Sequence, residues 1–425
     1  MTLLSGFYEP IGEVATVQDL RRQTRNVLGR IDASTIDAFC HVERTPSSLE
    51  SEQLADQLLS CPLRGLPVAI KEVIDVAGAP GGYGCAAFAG RVPLVNADIV
   101  TQLERLGAQI IGITCATELA LAGEPKTRNP WSPYRSPGGS SSGSAAAVGA
   151  GLVPFALGTQ TIGSVIRPAA YCGVIGFKPS VGVGSLNGVL PLSKTLDHLG
   201  YFADSLNRLK ETVAVMFPEL PPATSVQPRL VFVEPWFNET GLDGYFRKCD
   251  ALKRACTSSG VDWVESRLEP GIAAQNRNLT DTILCFELFQ TWGKTLLDHP
   301  STSEELQGLL RQGQVIGRQD YEGALAGRAS LIRHVENWLS ESDVLVFPSV
   351  LDLPPKLGQG TGTRDPQRLW TLLGTPALNL PVGWHDGFPL NLQLIAKRGA
   401  DMQLLDAGRL VSALLSSSND ETHHR

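Results

Sequence analysis

A chain of 425 residues with 43% hydrophobic and 19% charged content has the composition of an ordinary globular protein and the length to bury a large core. Its 36 Lys and Arg against 43 Asp and Glu leave a formal charge of -7 without a run of five or six like charges. That excludes the electrostatic footprint of a nucleic-acid or anionic-membrane binder and favours small, neutral or weakly polar partners. Eight scattered cysteines without a C-x-x-C pair argue against a disulfide framework or a zinc site and for a reducing, cytoplasmic compartment. The N-terminus has no basic region followed by an apolar core, and no stretch of about 18 apolar residues occurs, so neither a signal peptide nor a membrane span is expected.

In chain order, residues 15–60 read as polar amphipathic helices, and the first clear strand is Pro67-Val68-Ala69-Ile70 after Gly65, with Lys71 at its end. Asp98 is placed to cap a helix through Leu106, Gly107 stops it, and Ala108–Ile113 follows as a buried strand. A Gly/Ser run, Gly138-Gly139-Ser140-Ser141-Ser142-Gly143-Ser144, leads into a buried helix at Ala145–Val148. Val153–Leu157 then reads as a strand delivering Thr159–Ser164 into a loop. Residues 206–340 are more helical, with one strand at Leu230–Val233 and Phe286, Phe289 and Trp292 at helical spacing. Strands return at Val344–Phe347 and Leu392–Ile395, Asp401 opens a last helix toward Leu415, and the tail 416–425 is expected to be disordered. The alternation of strand and helix predicts an α/β fold.

The Gly/Ser run is too closely flanked by apolar segments for a linker, and it has no lysine for a phosphate-binding loop. Val68-Ala69-Ile70-Lys71 matches the strand lysine of protein kinases, but the downstream kinase pieces are missing. A serine hydroxyl is a weak nucleophile until a base removes its proton, and the usual base is histidine. None of His41, His198, His299, His334, His385, His423 or His424 sits in a recognisable catalytic context. A lysine serves instead when burial keeps it neutral, and Lys71 at the end of an apolar strand is placed for that. Lys71, Ser140 and Ser164 together spell a serine hydrolase with a lysine base.

These residues resemble the amidase signature family. The likeness runs through the Lys71 strand, Thr114–Ala122, Asn129-Pro130-Trp131, the Gly/Ser run, Gly158–Ser164, Arg167-Pro168-Ala169, Cys172–Pro179, Leu196-Asp197, Gly374–Gly383 and Pro389-Leu390. The resemblance implies one domain over residues 1–425, a single large α/β/α sandwich around a twisted mixed sheet. Its signature core would span 61–205 and a variable, mainly helical insertion 206–340. It also implies a Ser-Ser-Lys triad without metal or organic cofactor: Ser164 as nucleophile, Ser140 as bridge, Lys71 as base. The family register selects Ser140 over Ser141 and Ser142, with the Gly139–Ser140 peptide bond expected to be cis. The oxyanion would be held by the N–H groups of Thr161, Ile162, Gly163 and Ser164. The implied partner is a small amide substrate, with a homodimer permitted.

Several positions depart from the commonest family pattern. Ile162 stands where glycine is frequent, Gln160 where aspartate is frequent, and Arg167 one place later than the usual arginine. Gln160 and Arg167 are expected to support the oxyanion loop, with a neutral hydrogen bond from Gln160 replacing an ion pair, and Ile162 to keep φ negative and to narrow the acyl pocket. Cys115 and Ser142 are further departures, and Cys115 is expected to be a packed thiol. Asp197 and Lys178 are expected in structural ion pairs or turns. Trp131, Tyr134, Phe286, Phe289 and Trp292 are candidates for core or pocket wall. Two other functions fit the same resemblance: a glutaminase component feeding ammonia to a tRNA-dependent amidotransferase, and a noncatalytic binding or scaffold protein.

Overall fold

The run Pro67–Ile70 has no polar side chain to turn toward water. In the structure, a computed structural model that describes residues 14–223, 226–237 and 241–419, it belongs to a central strand buried along its whole length. The strands are β1 (Phe39–Val42), β2 (Pro67–Lys71), β3 (Gln109–Thr114), β4 (Phe155–Gln160), β5 (Ile175–Lys178), β6 (His198–Ala203), β7 (Arg229–Val233), β8 (Trp263–Ser266), β9 (Asp343–Pro348), β10 (Ala377–His385) and β11 (Phe388–Ile395). They form one eleven-stranded mixed sheet in the order β1-β3-β2-β4-β6-β5-β10-β11-β9-β7-β8. β2 runs parallel to both β3 and β4, whereas β4, β6, β5, β10, β11 and β9 are joined by antiparallel ladders.

Alternation along the strands divides the core into two. Val68, Ile70, Phe155, Leu157, Leu199 and Tyr201 feed the larger apolar cluster. Ala69, Ala156 and Phe202 point the other way, into a smaller one shared with Ala145–Val148, Val165 and Ala169. Helices Val17–Ala33, Ser142–Gly149 and Ile166–Cys172 contribute to the smaller cluster; helices Asp98–Arg105, Leu206–Met216, Asp365–Leu373 and Asp401–Asn419 contribute to the larger. A sheet between two helical layers is the expected α/β/α sandwich.

Helix Ser142–Gly149 is small-residued on every side and every residue in it is buried. Its closeness to the sheet rests on Gly143, where a Cβ would come within 2.3 Å of the Ala38 carbonyl oxygen and 2.5 Å of the Cys115 nitrogen. The serines before and within it donate to main-chain carbonyls in or just beyond the neighbouring strands. Ser141 Oγ donates to the Thr159 carbonyl at 3.2 Å, Ser142 Oγ to the Cys115 carbonyl at 3.4 Å, and Ser144 Oγ to the Leu157 carbonyl at 2.7 Å.

Several boundaries differ from the sequence reading. β1 interrupts the helical stretch 15–60, pairing antiparallel to β3. Asp98 begins its helix but accepts Ser185 Oγ and Asn187 Nδ2, and the cap position is Ala97. Residues 206–340 carry five helices among the described residues and also β7 and β8, which extend the common sheet beside β9. The last helix continues through Asn419; the remainder of the expected tail, 420–425, lies outside the described residues. Among the described residues no helix is long and apolar enough to cross a membrane, and all eight cysteines are free.

Candidate active site

β2 ends at Lys71, and its parallel neighbours β3 and β4 end beside it, so three strand ends converge where the Gly/Ser run enters its helix. Lys71 Nζ donates to Ser140 Oγ at 2.8 Å and to Thr159 Oγ1 at 3.0 Å. Loss of hydration pulls the amine down from its usual value to about 7, against the attraction of the Glu72 and Asp197 charges, which raises it. Glu72 is held away as an acceptor for the Ala116 N–H at 2.6 Å.

The Gly139–Ser140 peptide bond is cis. Thr117 N–H donates to the Ser140 carbonyl, and Ser141 N–H donates to the Ser164 carbonyl, both at 3.3 Å. Ser164 is therefore tied through the main chain of Ser141 to the Lys71–Ser140 pair. Its hydroxyl makes no bond among the described residues. Relative exposures of 0% for Lys71, 3% for Ser140 and 9% for Ser164 make Ser164 the member an incoming molecule reaches first.

The loop 161–164 is fixed from behind. Gln160 Oε1 accepts the N–H groups of Val165 and Ile166 at 2.8 and 3.1 Å, while its Nε2 donates to Thr371 Oγ1 at 2.9 Å. Thr371 Oγ1 donates to the Ile162 carbonyl at 2.6 Å, and Arg167 N–H to the Gly163 carbonyl at 3.2 Å. None of these bonds uses the N–H of Thr161, Ile162, Gly163 or Ser164. Since buried backbone donors are rarely left unpaired, a row of four at one turn is a natural acceptor site.

Gln160 holds this loop through neutral hydrogen bonds and does not pair with Arg167. Arg167 Nε and Nη2 both donate to the Gly139 carbonyl, at 3.2 and 2.6 Å, and Nη1 reaches the Gly362 carbonyl. Burial and the nearby Arg364 charge disfavour its protonated form. Ile162 keeps a negative φ, as its bulk requires, and its side chain is buried in the larger core cluster.

Of the two roles expected of Asp197 and Lys178, ion pair or turn, the hydrogen bonds fit the second, and among the described residues neither forms a salt bridge. Asp197 accepts Thr161 Oγ1 at 2.7 Å and the N–H groups of Leu192 and Ser193 at 2.8 and 2.9 Å; burial raises its carboxyl to about 6. Lys178 Nζ donates to the carbonyls of Pro179 and Thr375 at 2.9 and 2.5 Å. Cys115 is a buried free thiol. Trp131 donates to the Cys172 carbonyl at 2.9 Å, Trp292 to the Pro191 carbonyl at 2.7 Å, Phe286 stacks on Tyr321 at 4.2 Å, and Tyr134 is exposed. Thr159, Thr371 and Asp197 are the side chains whose place at the site the sequence reading missed. Among the described residues, no group of three or more His, Cys, Asp or Glu is arranged to hold a metal ion.

The comparisons with known proteins agree with this architecture. The family profile described as Amidase matches residues 22–235 and 271–405, and the chain belongs to that amidase family. It is 30% identical to Amidase 1 of Arabidopsis thaliana over 396 residues, covering 81% of this chain and 91% of the relative. It is also 30% identical over 451 residues to a glutamyl-tRNA(Gln) amidotransferase subunit from Chloroflexus aurantiacus, covering 91% of each. Among solved structures, a crystal structure of an amidase superposes with a TM-score of 0.81 at 28% identity, covering 94% of this chain and 96% of the other. An allophanate hydrolase from Kluyveromyces lactis superposes with a TM-score of 0.80 at 26% identity, covering 94% of this chain and 73% of that one.

Proposed function

We propose that this chain hydrolyses the carbon–nitrogen bond of a small, non-peptide amide through an acyl-enzyme on Ser164. The observation that carries the reading is a buried lysine amine, pulled to about 7, in direct contact with Ser140 Oγ at 2.8 Å. A neutral amine offers a lone pair to the Ser140 proton, which an ammonium cannot do.

Ser164 Oγ attacks the amide carbon while its proton passes to Ser140 and the Ser140 proton to Lys71. The new O–C bond leaves a tetrahedral oxyanion, and the N–H groups of Thr161, Ile162, Gly163 and Ser164 receive that charge. As the C–N bond breaks, the proton returns along the same path to the departing amine. Water then adds to the ester carbonyl, gives its proton to the relay, and releases the acid as Ser164 recovers its hydrogen. No metal or organic cofactor enters these steps. Free cysteines throughout the chain support a reducing, cytoplasmic setting.

The test is release of ammonia or amine from a panel of aliphatic, aromatic and urea-type amides, with Ser164→Ala and Lys71→Ala as controls. Turnover by the wild type alone is expected, together with labelling of Ser164 by a fluorophosphonate. Silence across the panel without labelling overturns the reading. The 30% identity to glutamyl-tRNA(Gln) amidotransferase subunits favours one second reading, a glutaminase that works within a larger complex. Co-purification of a partner that switches on glutamine hydrolysis would decide for it.

A further inference from the structure

We infer that Thr371 is a positioning residue for this reaction: by holding the Ile162 carbonyl from behind, it turns the Gly163 N–H toward the substrate carbonyl. The inference rests on the reading of residues 161–164 as the oxyanion loop.

The direction of each bond follows from the donors and acceptors available. Two backbone N–H groups, from Val165 and Ile166, converge on one end of the Gln160 amide, so that end is the oxygen. The other end is then the NH2, which donates to Thr371 Oγ1 at 2.9 Å. With a lone pair of the hydroxyl so used, its one proton goes to the Ile162 carbonyl at 2.6 Å. The chain of bonds is polarised in a single sense, from Gln160 through Thr371 to Ile162.

That carbonyl shares a planar peptide with Gly163 N–H. In a trans peptide the two dipoles point oppositely, and Gly139–Ser140 is the only cis bond among the described residues. Drawing the carbonyl toward helix Asp365–Leu373 therefore points the Gly163 N–H away from that helix. One turn earlier on the same helix, Gln367 lies against Gly163, where a Cβ would meet its Oε1 at 2.7 Å and its Cβ and Cδ at 3.4 Å. Residues four apart on a helix share a face, so Gln367 and Thr371 form one backing to two successive loop residues. Thr371 is fully buried and cannot itself touch substrate.

The experiment compares Thr371→Val, which keeps shape and loses the hydroxyl, with Thr371→Ser, which keeps the hydroxyl. Removing one oxyanion donor costs about 10²–10³ in rate, so Thr371→Val is expected to lower kcat about 100-fold with KM within about threefold of wild type. Its rate of Ser164 phosphonylation by a fluorophosphonate is expected to fall in parallel, since the serine oxygen attacks phosphorus and the phosphoryl oxygen takes the same N–H groups as fluoride leaves. Thr371→Ser is expected to retain most of both rates, and a purely structural role would instead lower the melting temperature without this kcat-only pattern. A folded Thr371→Val with kcat and labelling within about threefold of wild type overturns the inference. Should Thr371→Val not fold, Thr371→Cys, a weaker donor of similar size, is compared with Thr371→Ser, and equal rates overturn it. A wild type that neither turns over amides nor labels at Ser164 overturns the amidase reading and this inference with it; an active wild type with an unimpaired Thr371→Val removes only the inference.

Discussion

Thr159 Oγ1 accepts from Lys71 Nζ at 3.0 Å, making Thr159 the second hydroxyl, beside Ser140, that pins this amine. The contact follows from the parallel pairing of β2 with β4, in which Ile70 lies level with Leu157 and brings the two strand ends together. In the neutral amine of the proposed mechanism, an N–H held on Thr159 Oγ1 leaves the lone pair to face Ser140 Oγ. Thr159→Val removes one point and leaves the shape. A hydrogen bond of this kind contributes about 1 kcal/mol, so kcat is expected to fall roughly fivefold in amide-hydrolysis assays. Unchanged kcat would mean that Ser140 alone orients the amine.

Burial brings Lys71 to about 7, and in the proposed mechanism the neutral form is the base. Activity is therefore expected to rise as pH passes through about 7 and to level off above it. Stability runs with the same sign. Between about pH 7 and the ordinary lysine range near 10.4 the unfolded chain binds the proton that the folded one has lost, so stability rises with pH across that window. Below about 7 both states are protonated and the full cost of burying the amine is present. Lys71→Met is expected to be inactive and more stable than wild type by about 1–3 kcal/mol at pH 7, with the gain shrinking toward pH 10. Urea melts of both proteins across that range measure it, and a gain independent of pH would contradict the assignment.

The parts of this site that could be read from sequence are those carried by short contiguous patterns. Lys71 ends an unmistakable apolar strand, and Ser140 and Ser164 lie in compact Gly/Ser motifs. Thr159 was within the loop already singled out, but nothing local marks a threonine as a lysine's partner. Thr371 reaches Ile162 from more than 200 positions along the chain, and only the fold brings them together. The same limit governs the strands. β6 is buried at all six positions and contains Gly200, so it has neither alternation nor an unbroken apolar run to announce it. β1 is a four-residue edge strand without a buried face, and its place comes from pairing with β3.

Arg167 grips the carbonyl just before Ser140 with two nitrogens and the Gly362 carbonyl with a third, and among the described residues no carboxylate is its partner. A lysine ammonium cannot reproduce that planar fork. Arg167→Lys is expected to lose about 1–3 kcal/mol of stability and more than tenfold in kcat, read from urea melts and amide hydrolysis on the same preparation. Full activity with lowered stability would confine Arg167 to holding the fold.

Gly163 has no room for a side chain. A Cβ would lie 2.7 Å from Gln367 Oε1, well inside contact distance, and Gln367 is itself held by its Nε2 on the Ser349 carbonyl. Gly163→Ala must then push the loop off the helix or displace the glutamine. Overpacking of this kind costs about 1–3 kcal/mol, and a shift of the loop moves the N–H groups that flank Ser164. Expected is a fall in kcat of at least about 100-fold with a smaller change in KM. Shortening the neighbour tests the cause: Gln367→Ala in the Gly163→Ala background returns the missing space, so the double variant is expected to be more active than Gly163→Ala alone. If the two substitutions simply add, the collision is not what disables the loop, and the added methyl acts through the backbone of Gly163 itself.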